Sequence, residues 1–338
     1  MNYEEAGVDI RRKAKVLQAA TAAIKATYTP EVLRGIGAFG GMMEASRLKD
    51  LAQPVLVVST DGVGTKTLLA AQTGRWGGLG YDIVNHCVND LLVQGAKPLF
   101  FLDYIASARL EPEVLGMVLT SLAQACQTVG IPLLGGETAE MPGIYREGGL
   151  DLVGTIVGVV DKAHLVDGAK VQPGDVLLGL PASGLHTNGY SLARKVFEGW
   201  DLEEPRPELE GYSLANVLLE PHRCYLEPVS RLLEAHIPIK AMAHITGGGV
   251  YENLPRALPE GLGAELQSGS WPVPPIFRLI QDRGNIAPNE MYRVFNMGLG
   301  YILVLDETEA QKVVSLLPEA QRVGYIMDQP EIRVSGLS

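Results

Sequence analysis

Apolar residues fall at helical spacing in residues 10–26, where Ile10, Ala14, Leu17, Ala20 and Ile24 make one stripe. Pro30 and the glycines from Gly35 to Gly41 break that pattern, and TPEVLR before them reads as a helical turn. Residues 55–59 (VLVVS) are short, β-branched and followed by Asp-Gly, which predicts a buried strand. In residues 82–94, Ile83, Cys87 and Leu91 share one side of a helix, and Asp82, His86, Asn89 and Asp90 group on another. LFFLDYI (99–105) predicts a strand, 111–129 an amphipathic helix ended by Gly130, 131–134 a strand stopped by Gly135-Gly136, and 152–160 another strand.

The polar stretch VDGAKVQPGD (166–175) changes the texture and suits a domain boundary. The expected domains are 1–166 and 167–338. Beyond the boundary, strands are predicted at 176–180, 239–245, 263–267, 299–305, 321–327 and 331–335, with helices at 189–198, 222–236, 249–258, 275–283 and 307–317. The fold class is therefore two domains of α+β or α/β type. The acidic, proline-containing run 201–210 reads as a solvated loop.

A chain of 338 residues exceeds what one core usually serves, which agrees with two domains. The formal charge of -11 disfavours nucleic acid and anionic membranes as partners. It also means that any phosphate site must be locally positive, built from metal ions, a few Lys or Arg, or backbone N–H groups. The 39 glycines fit close backbone approach to a ligand. Cys87, Cys126 and Cys224 are odd in number and widely spaced, so they predict buried thiols rather than disulfides or a zinc site. The charged N-terminus and the lack of a long apolar run fit a cytoplasmic location.

Six segments can carry chemistry. Asp61-Gly62-Val63-Gly64-Thr65-Lys66 follows a strand; Asp61 can hold Mg²⁺, the Gly62, Gly64 and Thr65 backbone can approach phosphate, and Lys66 can neutralise it. The same letters suit a turn with a surface lysine, and the spacing is not a Walker A loop. Gly35–Gly40 matches G-x-G-x-x-G by letter without the strand and helix of a dinucleotide site, which leaves Gly37 and Gly40 as parts of a flexible ligand loop. The acids and amides of 82–90, including Asn89 and Asp90, either bind a cation or ligand or form a solvated helix face. Glu137, in GGETAEMPG (135–143), is a further hard oxygen donor or a plain exposed acid. His186 and Asn188 sit in SGLHTNGYS (183–191) just before a helix, where His186 suits proton transfer, phosphate contact or a cap. His244, Thr246, Gly247, Gly248 and Gly249 lie between a strand and a helix, a phosphate cradle on physical grounds. His164, His222 and His236 lack such context and read as structural.

The ordered set AGVDI, STDGVGTK, the helix 82–91, QGAKPLFFLDY, GGETAEMPG, HTNGYSL, HITGGG and FNMGLG resembles the AIR synthetase (phosphoribosylformylglycinamidine cyclo-ligase) family across both domains. The resemblance implies ATP-dependent closure of formylglycinamidine ribonucleotide to aminoimidazole ribonucleotide, with ADP and phosphate released through a phosphorylated formyl oxygen. It implies an N-terminal mixed-sheet domain that binds ATP and Mg²⁺ and dimerises through its sheet, a substrate-facing C-terminal α/β domain, and an active-site cleft between domains. It places Asp61, Asp90 and Glu137 at Mg²⁺–ATP, Lys66 at phosphate, His186 and Asn188 at the substrate, and His244 with Thr246–Gly249 at a phosphate. The sequence departs from the family pattern at His86, where an apolar residue is expected, and at Thr21, where some members carry a lysine that Lys25 could replace. Related kinases, a selenophosphate synthetase, the preceding amidotransferase and a catalytically silent nucleotide sensor are the competing readings.

Overall fold

In the computed structural model, which describes residues 20–337, the first half of the chain builds a mixed sheet with helices on one face. After helical residues 20–25 come a small ribbon, β1 (Val32–Arg34) and β2 (Met42–Met43), and then β3 (Pro54–Gly62). Helices α1 (Lys66–Thr73) and α2 (Leu79–Leu92) lead to β4 (Lys97–Ser107), α3 (Pro112–Val129), β5 (Leu133–Glu140) and β6 (Leu150–Asp161). The sheet order is β3-β6-β4-β5, with only β4 and β5 parallel.

Burial alternates along β6, so Leu152, Gly154, Ile156 and Gly158 face the helices. The two glycines have a purpose there. A Cβ at Gly154 would lie 2.2 Å from Phe101 Cζ and 2.8 Å from Ile83 Cγ1, and one at Gly158 would lie 2.7 Å from Leu91 Cδ1. Helix α2 therefore rests almost on the backbone of β6. It is buried on its polar side as well: Asp82, Asn85, His86 and Asn89 all lie inside. Asp82 meets Lys66 at the start of α1, Nζ to Oδ1 2.7 Å, with both side chains fully buried. The other face of the sheet is open, and Leu56 and Val58, opposite Val159 and Val157, are 58% and 61% exposed.

The second half forms β7 (Val176–Pro181), α4 (Tyr190–Val196), α5 (Leu214–Leu218), α6 (Leu226–Glu234), β8 (Ala241–His244), α7 (Gly249–Asn253) and β9 (Gly263–Gln267). It continues with α8 (Pro275–Gly284), α9 (Pro288–Val294), β10 (Leu299–Leu305), α10 (Glu307–Leu316), β11 (Gln321–Met327) and β12 (Ile332–Ser335). Its six strands run β12-β9-β11-β7-β10-β8, antiparallel except for β12 with β9. Every residue of β10 is buried, which explains its unbroken apolar run. By contacts, one compact unit holds the described residues up to Leu91 with Ala96–Ala163; the other holds Leu92–Gly95 and the chain from His164 onward. No helix among the described residues is long and apolar enough to cross a membrane.

Several expectations are corrected. Residues 32–34 are strand, not helix, because they pair with β2. Strand β5 does not stop at Gly135-Gly136; the parallel partner β4 carries it on to Glu140. Helices α1, α5 and α9 were not anticipated, and α7 gives way at Leu254-Pro255 to a 3-10 turn. Residues 10–19 of the first predicted helix, and the AGVDI motif, lie outside the described residues. Cys87 and Cys126 are buried in helices, and burial raises both thiol pKa values well above the ordinary range. Cys224 instead sits half-buried in the loop before α6, its pKa pushed up to about 11 by burial.

Replacing Lys66 by Ala leaves the buried Asp82 carboxylate without its cation, and a loss of about 3–5 kcal/mol in urea unfolding is expected. The double replacement Lys66→Met with Asp82→Leu is expected to recover most of that loss, because it removes both charges.

Candidate functional site

The first unit carries an acidic cluster where β3 ends. Asp61 and Ser59 lie on β3; His86 and Asp90 lie one helical turn apart on α2. His86 Nε2 is 3.1 Å from Asp61 Oδ2 and 3.9 Å from Asp90 Oδ2. Ser59 Oγ donates to Asp90 Oδ2 at 2.9 Å, and the Gly62 N–H donates to Asp61 Oδ1 at 2.7 Å. Burial opposes a charge on His86, yet its bond to Asp61 and the field of Asp90, Asp61 and Asp82 outweigh burial and raise its pKa. Burial likewise pushes Asp61 up, but the His86 bond and charge and the Gly62 N–H hold it below the usual carboxylate range, against Asp90. The cluster therefore favours positive charge. Asp61 and Asp90 side chains remain 43% and 30% exposed, so both carboxylates flanking His86 reach solvent. That donor set fits Mg²⁺.

Lys66 does not share this surface. Its ammonium is sealed inside against Asp82, so the expected phosphate contact is replaced by an internal ion pair. Asp82 thus answers its burial with a lysine rather than a metal. Thr65 caps α1, and Gly64, in left-handed backbone, closes the turn by accepting from Thr67. Asn89 is fully buried on α2.

Glu137 stands apart from Asp61. Asp61 is opposite Gly154, Gly154 opposite Asp103, and Asp103 opposite Gly136. Three strand spacings of about 4.8 Å separate the two edges, so Asp61 and Glu137 cannot ligate one ion. Glu137 instead borders a cavity of about 380 Å³, with Asp103, Leu134 and the glycine loop 35–41 that holds Gly37 and Gly40. Tyr28 anchors this loop by accepting the Ile36 N–H at 2.6 Å. Burial raises the Asp103 pKa, its own backbone N–H opposes, and the Glu137 charge adds, leaving it at about 7. The only mark of Asp103 in the sequence is that it is a lone acid in the apolar strand LFFLDYI.

The second unit brings two glycine-bounded loops together. His186 follows β7 with φ +61°, a costly conformation for an L residue, and is 1% exposed. Its Nε2 accepts the Ser183 N–H at 3.2 Å. A Cβ at Gly247 would lie 3.1 Å from Asn188 Oδ1, so Asn188 borders the loop after β8. In that loop Thr246 donates to Asn253 Oδ1, and Asn253 Nδ2 donates to the carbonyls of Gly247 and Gly249. Those bonds fix the backbone of the glycine loop from the inside. A Cβ at Gly249 would lie 1.9 Å from Tyr292 O, so no side chain fits there. His244 is buried beneath the loop, its Nε2 2.9 Å from His222 Nε2. His222, read as structural, belongs to this cluster; its partner lies 22 residues away and leaves no local signal.

The two units correspond to known families. Residues 47–160 match the AIR synthase related protein, N-terminal domain, and residues 172–336 match the AIR synthase related protein, C-terminal domain. The chain is similar to a phosphoribosylformylglycinamidine cyclo-ligase of Desulfitobacterium hafniense, 45% identical over 100% of this chain and 98% of that protein. It is also similar to one of Geobacillus thermodenitrificans, 47% identical over 97% of this chain and 94% of that protein. Among solved structures, hydrogenase maturation protein HypE in complex with ATP superposes with a TM-score of 0.68 at 16% identity, covering 95% of this chain and 88% of that one. Two ordered domain matches and full-length likeness at 45% identity establish that the chain belongs to the phosphoribosylformylglycinamidine cyclo-ligase family of AIR synthase related proteins.

Proposed function

We propose that this protein closes formylglycinamidine ribonucleotide to 5-aminoimidazole ribonucleotide, converting ATP to ADP and phosphate. The observation that carries the chemical reading is the pairing of Asp61 and Asp90 around His86, a preformed place for positive charge in a chain of net charge -11. Full-length likeness to cyclo-ligases supports the choice of substrate, and the fold shared with an ATP-bound protein supports the nucleotide.

The chemical problem is an amide oxygen that leaves poorly. Transfer of the γ-phosphoryl group to the formyl oxygen makes that oxygen a leaving group. The neighbouring amidine nitrogen attacks the formyl carbon, the C–N bond forms, phosphate departs, and a proton is lost. Mg²⁺, held by Asp61 and Asp90 when bound, supplies charge neutralisation for the polyphosphate. Glu137 and Asp103, beside the loop of Gly37 and Gly40, form a second acidic position suited to another ion along the same triphosphate. The Gly62–Thr65 turn orients Asp61 through the Gly62 N–H. In the second unit, Thr246–Gly249 receives the ribonucleotide phosphate, Asn188 positions the substrate, and His186 moves the proton. His244 supports that loop from below.

The protein works as a homodimer through the open sheet face. Leu56 and Val58 continue an apolar strip with Val157 and Val159, and an exposed strip of this kind on an edge strand suits a second copy.

Asp61→Asn is expected to lower turnover by about 100-fold or more, since even outer partners of a metal are worth roughly 10–100-fold. Its urea midpoint should stay near that of the parent chain; unchanged ADP release with formylglycinamidine ribonucleotide would remove the metal role. His186→Ala is expected to slow ring closure by about 100-fold, the lower end for a general acid–base. Single-turnover kinetics would register this, and an unaltered rate would leave His186 a loop-shaping residue. The pair Leu56→Glu and Val58→Glu is expected to halve the mass measured by light scattering, whereas a parent chain that is already monomeric would exclude the dimer.

A further inference from the structure

Three histidines meet inside the second unit, from the loop after β7, the segment before α6 and the end of β8. His186, His222 and His244 are 1%, 1% and 5% exposed. His222 Nε2 lies 2.9 Å from His244 Nε2, and the His186 ring stacks on His222 with centroids 3.9 Å apart. One nitrogen from each ring lies within 4.8 Å of the other two. The backbone is shaped around the group. His186 is held at φ +61°, and a Cβ at Gly300 would lie 2.6 Å from His186 Cε1, so the bare β10 backbone makes room for the ring. Thr187 Oγ1 stands 3.3 Å from His222 Nδ1 and aims the other nitrogen at His244. A hydroxyl or carbonyl on the far nitrogen orients metal-binding imidazoles in this way.

We propose that His186, His222 and His244 form a binding site for a divalent transition-metal ion of the zinc class. Imidazole nitrogen is a borderline donor that suits Zn²⁺, Cu²⁺ or Ni²⁺ and serves Mg²⁺ poorly, so the site differs in kind from the oxygen pair of Asp61 and Asp90. Three imidazoles with a fourth position for water are a donor set that zinc accepts at about 2.0–2.1 Å. To hold one ion, His186 has to turn out of its stack on His222 so that the three ring nitrogens, now within 4.8 Å of one another, converge. An ion so held withdraws His186 from proton transfer. That consequence for turnover rests on the function proposed above; the binding itself does not.

Metal-free, untagged full-length protein titrated with Zn²⁺ against a chromophoric chelator tests the site. The parent chain is expected to bind at least tenfold more tightly than His222→Asn, while His164→Asn behaves as the parent. Equal affinity in the parent and His222→Asn would overturn the proposal. X-ray absorption on the zinc-loaded parent needs no variant: three imidazole scatterers support the trio, and fewer overturn it. Zinc inhibition of the parent chain that a chelator reverses is the expected effect on activity. Zinc held by three imidazoles without loss of turnover keeps the site and counts against His186 in the proposed mechanism.

Discussion

Helix α2 is buried on both sides, and the chemistry of the first unit follows from that constraint. Gly154 and Gly158 let it settle onto β6, and α1 covers part of its polar side. A polar group in that position cannot turn to water, so each one has to be answered by a partner. Asp82 is answered by Lys66, and His86 by Asp61 and Asp90. The first arrangement is closed and serves stability. The second reaches the surface, and its carboxylates keep outward oxygens. One helix thus divides its charges between a sealed interior and a partly exposed rim.

The second unit solves a different problem. Its sheet centre is almost entirely apolar, with β7 and β10 buried nearly throughout, and the buried histidines gather beyond or at strand ends. Glycines at 247, 248 and 249 and left-handed backbone at His186 shape those ends. Asn253, placed one turn into α7, holds the loop by its carbonyls. The rigid sheet fixes the positions from which these loops depart, which is what a site for a phosphorylated ligand requires.

The strands and long helices were legible because their burial follows simple periods: β6 alternates and β10 is continuous. The glycine-bounded motifs around Asp61, His186 and His244 also fall at strand ends as expected. What escaped were features decided by partners distant in sequence. Strand β5 runs through Gly135-Gly136 because β4 pairs with it. The inward turn of Lys66 depends on Asp82, which its own neighbours do not reveal. Asp61 and Glu137 looked alike as hard ligands, but only the strand order sets them on opposite edges of the sheet. His222 had nothing around it to separate it from an ordinary core histidine.

The sulfur chemistry of the chain has a further consequence. Nucleophilic attack on peroxide or on a mixed disulfide needs thiolate, and burial keeps Cys87 and Cys126 in the thiol form while Cys224 ionises only near pH 11. While folded, the three thiols are therefore poor targets for glutathionylation, a reaction that runs through the thiolate.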